Sequence, residues 1–250
     1  DLDLLASLDS KKLINNIPEY LRSPDNKWFG LSKRARVIVV HDKKVAEGEI
    51  TRIEDLADPK WKGKICSRPG SHVYNRGIMA SVLAAIGEQE AEIWAKGMVA
   101  NFAKRPQGND RAQVKAIYEG ECEVALINNY YFGKLKFSED PEQRKWAESV
   151  RLVFPNQNEG DRGAHINISG GGVAKFSKNK EEAQKLLEFL TSEKAQKLYG
   201  EINFEYPANL KIEPGDELKS WGSFREDTLP IIKIAELAPE AQKIIDRVGW

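Results

Sequence analysis

Three tyrosines occupy positions from which side chains reach ligands in α/β proteins. Tyr130 and Tyr131 follow an apolar run at 122–127, and Tyr74 follows a loop after a short apolar run at 64–67. In an open α/β sheet, ligands bind outside the carboxyl ends of the strands. Adjacent side chains of a strand point to opposite faces, so Tyr130 and Tyr131 can converge only where the strand gives way to a turn or helix. The positions therefore permit the three hydroxyls to face one ligand.

Convergent phenols indicate hard-metal chemistry. A free phenol has a pKa near 10, so its deprotonation at neutral pH costs roughly 4 kcal/mol. A bound trivalent cation can supply that free energy, hard oxygen donors match Fe³⁺, and a helix N-terminus favours anions. The cluster thus predicts a ferric site. By spacing alone, an aromatic rim packed on an apolar ligand or on a neighbouring helix is the commoner explanation.

Two arginines precede the most apolar run of the chain. Arg34 and Arg36 share one face at the start of a predicted strand that extends to His41. Arginine stays protonated and can stabilise a phenolate or a bound anion. The strand that follows is apolar on both faces, so the pair is predicted to lie where a buried strand meets solvent or a cleft. Ordinary surface charge is the alternative.

Strand-like runs alternate with helical patterns along the chain, which is typical of an α/β fold. The predicted strands are 36–41, 64–67, 122–127, 150–154 and 165–176. The predicted helices are 74–87, 88–102, 109–119, one long helix from Ser177 to Gly200, and a region at 226–248 interrupted near Pro239. The triglycine at 170–172 lacks the Lys-Ser/Thr of a phosphate-binding loop, and we interpret it as a bent strand or a close approach of two backbones.

Composition excludes several classes of protein. The 250 residues contain 38 Lys+Arg and 38 Asp+Glu, and the pI near 7.0 argues against nucleic-acid binding. No apolar run approaches the roughly 18 residues of a membrane-spanning helix. The length allows one large domain or two lobes. Cys66 and Cys122 could form one disulfide in an oxidising compartment or remain as two buried thiols.

The chain carries no enzyme signature of the common kinds. The patterns GxSxG, HExxH and GxGxxG after a strand are missing from the sequence. His41, His72 and His165 are isolated from one another, which disfavours a histidine-rich metal site. We therefore predict a binding protein and not an enzyme.

Several segments, in this order, resemble one family along essentially the whole chain. They are Trp28–His41, Ile53–Cys66, Ser71–Asn75, Asn128–Gly133, His165–Ala174 and the C-terminal Asp246–Trp250. The sequence resembles the periplasmic ferric-iron-binding proteins, which are the substrate-binding components of iron(III) ABC transporters. The Tyr-Tyr pair within NNYYFG is the most diagnostic element of this resemblance.

The resemblance implies a two-lobed α/β clamshell of the type II periplasmic-binding-protein class. Residues 1–35 and 161–211 would form the N-terminal lobe, and residues 36–160 and 212–250 the C-terminal lobe. The chain would cross between lobes near 33–37 and 161–166. One departure from the family is expected: a first strand-helix-strand stretch, which supplies a further His or Tyr ligand, is missing, so the first lobe is incomplete and the chain is a fragment.

The resemblance also implies a ligand set. Tyr74, Tyr130 and Tyr131 would be iron-ligating phenolates, Arg34 would support them or hold an anion, and Lys134 is a weaker candidate for the same support. Water or an anion such as carbonate would complete the coordination of Fe³⁺.

The same resemblance implies a biological setting. The protein would be a periplasmic or lipid-anchored extracytoplasmic monomer that delivers iron to a membrane permease. A clamshell binder for a small organic or polyamine solute, an enzyme on the same fold and a purely structural module remain alternatives.

Overall fold

A computed structural model describes residues 3–250, and the predicted α/β class is confirmed. In chain order the elements are α1 (Lys11–Asn16), β1 (Phe29–His41), β2 (Ile65–Cys66), α2 (Val73–Ile86), α3 (Glu88–Ala100), α4 (Asp110–Tyr118), β3 (Val124–Asn128), α5 (Asn129–Lys136), α6 (Pro141–Glu148), β4 (Val150–Val153), β5 (Ile166–Gly171), α7 (Lys180–Leu190), α8 (Glu193–Asn203), β6 (Tyr206–Pro207), α9 (Asp216–Ser220) and α10 (Ile231–Val248). Among these described helices, none combines the length and the hydropathy needed to cross a membrane.

The described chain divides into two compact units. The first comprises the chain up to Arg34 together with Asn167–Ser223 and Leu229–Lys233. The second comprises Ala35–Ile166, Phe224–Thr228 and Ile234–Trp250.

The bounds of these units differ from the lobe boundaries predicted from the sequence, which stay a prediction. Residues 212–223 and 229–233 belong to the first unit, in part because α9 packs on α8 through the buried Leu218. Residue 35 and residues 161–166 belong to the second unit. There the backbone N–H of Ala164 donates to Arg225 O at 2.9 Å, and the backbone N–H of Arg36 donates to His165 O at 2.9 Å.

The second unit is built on the sheet order β2-β3-β1-β4. β2 and β3 run parallel, with Ile65 opposite Val124, whereas β1 is antiparallel to both β3 and β4. Residues 37–40 of β1 are fully buried. A strand covered on both faces needs apolar side chains at every position, which explains the uninterrupted run Val-Ile-Val-Val.

A disulfide joins Cys66 and Cys122, with the Cα atoms 5.8 Å apart. Of the two states left open by the sequence, the structure therefore has the bonded one. Cys66 ends β2, and Cys122 lies two residues before β3 begins. The covalent link thus ties together the two parallel strands whose carboxyl ends precede the tyrosines.

In the first unit, the start of β1 pairs with β5 and with β6, where Ser32 lies opposite Pro207. The first two residues of the triglycine end β5, and Gly172 follows it. A Cβ on Gly170 would lie 3.1 Å from Phe29 O, and one on Gly172 would overlap the backbone oxygen of Lys27. The interpretation of the triglycine as a close approach of two backbones is confirmed.

The predicted single helix from Ser177 to Gly200 is wrong. The structure has α7 and α8, separated at residues 191–192. Asn209 donates its side-chain N–H to the carbonyl of the buried Thr191 at 3.0 Å, which satisfies this C-terminal carbonyl of α7 from outside the helix. Gly200 lies inside α8, which ends instead where Phe204 adopts a left-handed conformation with φ 58°.

The final helical region also differs from its prediction. Residues 226–230 are not helical, and α10 begins at Ile231, directly after Pro230. The residue before a proline is disfavoured in helical conformation, which keeps Leu229 outside the helix. Pro239 does not interrupt α10. The buried Ala241, Ile244 and Ile245 hold the following turns against the core.

Candidate metal site

The three predicted tyrosines lie in the first turns of two helices of the second unit. Tyr74 is the second residue of α2, which follows the loop after β2. Tyr130 and Tyr131 are the second and third residues of α5, which begins directly after β3. Because β2 and β3 are parallel neighbours, their carboxyl ends meet at one edge of the sheet. The fold therefore delivers both tyrosine-bearing turns to the same edge.

The structure brings these phenol groups into contact. The hydroxyl oxygens of Tyr74 and Tyr130 are 3.0 Å apart. The rings of Tyr130 and Tyr131 lie with their centroids 4.4 Å apart and their planes tilted by 34°. Two oxygens that bind one small ion at right angles, with bonds of about 2.05 Å, lie roughly 2.9 Å apart. The 3.0 Å contact is a hydrogen bond between the Tyr74 and Tyr130 hydroxyls, and it is close to the separation of two oxygens that share one hard cation.

Burial keeps two of these phenols protonated in the absence of a metal. Burial raises the pKa of Tyr130 far above its usual range, and hydrogen bonding with Tyr131 and Tyr74 raises it further. Burial is also the largest cause of the raised pKa of Tyr131. Any cation that takes these oxygens as phenolate ligands must therefore displace their protons.

Cationic side chains lie against all three rings. Arg68 and Arg36 place their guanidinium carbons 5.0 and 5.7 Å from the centroid of the Tyr74 ring. The Nζ atom of Lys134 lies 5.3 Å from the centroid of Tyr130, and Arg111 lies 5.5 Å from that of Tyr131. Positive charge beside a phenol favours its deprotonated form. The structure thus places Lys134 beside the cluster.

A buried carboxylate anchors two of these cations. Asp110, the first residue of α4, is fully buried and accepts from Arg36 Nη1 at 2.7 Å and from Arg68 Nη1 at 2.8 Å. It also accepts the backbone N–H of Asn128 at 2.8 Å. Buried charges persist in proteins when they are paired and hydrogen-bonded, and this group meets that condition.

Asparagines attach the same network to the tyrosine-bearing turns. Arg36 Nη2 donates to Asn75 Oδ1 at 2.7 Å, and Asn75 directly follows Tyr74. Asn75 Nδ2 donates in turn to Arg68 O at 2.9 Å. Asn129, next to Tyr130, accepts the backbone N–H of Ala35 at 2.8 Å. Each tyrosine-bearing turn is therefore tied to β1 by side-chain hydrogen bonds.

His72 has a structural role in this region. Its Nδ1 accepts the backbone N–H of Tyr74 at 3.2 Å and caps α2, and its ring lies edge-on to that of Tyr74 at 4.5 Å. Burial, followed by the charge of Arg68, lowers the pKa of His72, which keeps Nδ1 free to accept. Among the described residues, no group of three or more His, Cys, Asp or Glu side chains could hold a metal ion.

Arg34, the other predicted support, lies in the first unit. Its Nη1 donates to Ser169 Oγ at 2.6 Å, and that hydroxyl donates to Glu205 at 3.3 Å. These contacts account for where the side chain is held, and the predicted role of Arg34 toward phenolates or an anion stays a prediction.

Sequence reasoning missed Asp110, Arg68 and Arg111. An acidic residue in the first turn of a helix is common for reasons of the helix dipole alone, so Asp110 gave no signal of its own. Arg68 did carry one, because it follows the same strand end as Tyr74.

Comparisons with known proteins identify similar chains and similar solved structures. "Iron uptake protein A1" of Synechocystis sp. is 47% identical over 99% of this chain and 68% of its own length. A solved Trichodesmium structure, IdiA (FutA) in complex with iron and citrate ligands, has a TM-score of 0.95 and 47% identity over 99% of this chain and 78% of that one. The ferric iron-binding protein A of Mannheimia haemolytica in an open conformation has a TM-score of 0.93 and 43% identity, over 99% and 77% of the two chains.

These solved structures confirm the predicted fold family. Residues 2–225 match the family described as bacterial extracellular solute-binding proteins. This match and the identity to the relatives lead to one conclusion: the chain belongs to the family of bacterial extracellular solute-binding proteins.

Proposed function

We propose that this protein binds ferric iron through Tyr74, Tyr130 and Tyr131 and delivers it to a membrane permease. The observation that carries the proposal is the 3.0 Å separation of the Tyr74 and Tyr130 hydroxyl oxygens at one edge of the sheet, with Tyr131 beside them. Phenolate oxygens are hard donors that suit a trivalent cation. The relatives named for iron uptake and the Trichodesmium complex with iron support the same cargo.

Each residue of the cluster contributes in a different way. The phenols of the three tyrosines lose their protons as the ion binds, and Fe³⁺ supplies the electrostatic free energy for that loss. Arg36, Arg68, Arg111 and Lys134 remain beside the rings as compensating positive charge. Water, or an anion such as carbonate, fills the remaining coordination positions.

The proposed setting is outside the cytoplasm. A solute-binding protein of this family hands its cargo to the permease of an ABC transporter, and we propose that this chain does so as a monomer in the periplasm or attached to the outer face of a membrane. We also propose that it is a binding protein and not an enzyme, in keeping with relatives that are named for iron uptake and iron binding.

A polyamine is a poorer candidate solute. Such a ligand is a polycation and would use the tyrosine faces for cation–π contact. Lys134 and the three arginines already lie against those faces. A polyamine would have to displace these cations from the ring faces, whereas a ferric ion would bind the hydroxyl oxygens instead.

The decisive experiment is ferric loading of a tyrosine variant. We expect the wild-type protein loaded with iron to be coloured by charge transfer from tyrosinate to Fe³⁺. Tyr130→Phe removes one ligand oxygen and is expected to weaken binding at least tenfold and to reduce the colour, measured by visible titration with a competing chelator. Tyr118→Phe removes the hydroxyl of an exposed tyrosine on α4 and serves as the control. A colourless loaded protein, or equal affinities for Tyr130→Phe and wild type, would refute the proposal.

A further inference from the structure

We propose that Asp110 is the positioning residue that holds the two tyrosine-bearing turns at the distance one ferric ion requires. The inference rests on the proposed function. It adds a residue that touches neither the cargo nor the tyrosine hydroxyls and acts through the groups it binds.

Asp110 is connected to both turns at once. On one side it accepts from Arg68, which belongs to the loop that leads to Tyr74. On the other side it accepts the backbone N–H of Asn128, two residues before Tyr130. A single buried carboxylate therefore links the carboxyl end of β2 to the carboxyl end of β3.

A second path runs through Arg36. Its Nη1 is held by Asp110 at 2.7 Å, and its Nη2 donates to Asn75, the residue after Tyr74. The guanidinium groups of Arg36 and Arg68 both lie against the Tyr74 ring. Fixing these two groups thus fixes the surface on which the ring rests.

Replacement of this carboxylate has a defined consequence. Asp110 accepts three hydrogen bonds with its two oxygens, and two of the donors are charged. An asparagine of the same shape offers one acceptor oxygen and turns an N–H₂ group toward at least one donor. The guanidinium groups or the Asn128 backbone must then move, and the two tyrosine-bearing turns move with them.

The test uses Asp110→Asn in the whole chain. Loss of such an outer contact typically weakens metal binding by about 10–100-fold, and we expect that loss in a ferric titration against citrate. We also expect the charge-transfer band to shift, because the angle between phenolate and metal changes. A crystal structure of the iron-free variant should show the Tyr74 and Tyr130 hydroxyl oxygens farther apart than 3.0 Å.

Asp161→Asn is the matched control. The Asp161 side chain is 6% exposed and pairs with Arg52 at 2.6 Å, and it contacts no residue of the tyrosine cluster in the described part of the chain. We expect it to lower the free energy of unfolding without changing iron affinity or the absorption band. An equal loss of affinity in this control would mean that any buried aspartate matters, and would overturn the inference.

The remaining outcomes separate the inference from the proposed function. If wild type fails to bind Fe³⁺, the proposed function fails, and the oxygen–oxygen distance in the iron-free variant alone decides the role of Asp110. If wild type binds and Asp110→Asn binds equally well with an unchanged band, the inference fails.

If Asp110→Asn does not fold, Arg68→Lys is the second variant, because lysine keeps the positive charge and loses the planar, forked geometry of the guanidinium group. A shifted band and severalfold weaker binding in that variant support the inference, and wild-type behaviour overturns it.

Discussion

Tyr130 is the most buried of the three proposed ligands, and its burial bears on the pH dependence of the proposed iron binding. Its pKa lies far above 10, and that of Tyr131 is also raised. Both phenols therefore keep their protons throughout the neutral range, and under the proposed function iron displaces those protons on binding. Displaced protons favour release at low pH, because each lowers the apparent affinity by about tenfold per pH unit of acidification.

This argument yields a pH prediction at the residue scale. Between pH 6 and 8 we expect the ferric affinity of wild type to rise with pH, and the slope of log affinity against pH to be smaller by about one in Tyr131→Phe, which has one proton fewer to release. Both proteins are titrated against the same concentration of citrate, so that protonation of the competitor cancels in the difference. Parallel slopes for the two proteins would show that Tyr131 is not a phenolate ligand.

At the scale of elements, the parallel pair β2 and β3 is the platform of the site. Its two strands are short, and the Cys66–Cys122 disulfide joins them beside the ladder that pairs Cys66 with Ala125. Closing a loop of 56 residues restricts the unfolded chain, which corresponds to about 4 kcal/mol in the loop-entropy treatment.

We therefore expect the double variant Cys66→Ala/Cys122→Ala to lose roughly that much free energy of unfolding. Urea unfolding followed by tryptophan fluorescence measures the loss. Wild type unfolded in the presence of a strong thiol reductant is the comparison, because it loses the covalent link and keeps the sulfur atoms. Equal unfolding midpoints for oxidised and reduced wild type would contradict the assigned contribution of the disulfide.

At the scale of the whole molecule, the proposed ligands all belong to the second of the two compact units. A ligand that binds only the native state stabilises the regions whose opening breaks its contacts. We expect ferric loading to increase amide protection against hydrogen exchange at 67–80 and 124–136, measured by mass spectrometry. The segment 150–153, in the β4 edge strand of the same unit, is the internal reference and should change little. Protection gained equally at the reference would indicate general stabilisation and not binding by the tyrosine cluster.

Sequence reasoning located elements well where local signals were strong. The apolar run of β1 and the glycine-bounded pattern of α2 required no knowledge of distant contacts. It failed where the end of an element depends on side chains that are distant in the sequence. Asn209 donates a hydrogen bond to the carbonyl of Thr191, at the end of α7. A local sequence pattern around Thr191 cannot indicate this partner, which lies eighteen residues away. The bounds of the two units differ from the predicted lobe boundaries for the same reason, since the chain returns to each unit through short segments whose partners lie far along the sequence.

The sequence by itself determined the α/β class, the family and the address of three tyrosines at strand ends, because strand and helix periodicity and residue order are properties of the chain. Only the tertiary structure decided that the Tyr74 and Tyr130 hydroxyls are in contact and that Cys66 pairs with Cys122. It also decided that Asp110 pairs with Arg36 and Arg68 beside the Tyr74 ring. Those contacts depend on the parallel pairing of β2 with β3, which brings together residues more than fifty positions apart. The buried carboxylate of Asp110 persists only because Arg36 and Arg68 pair with it.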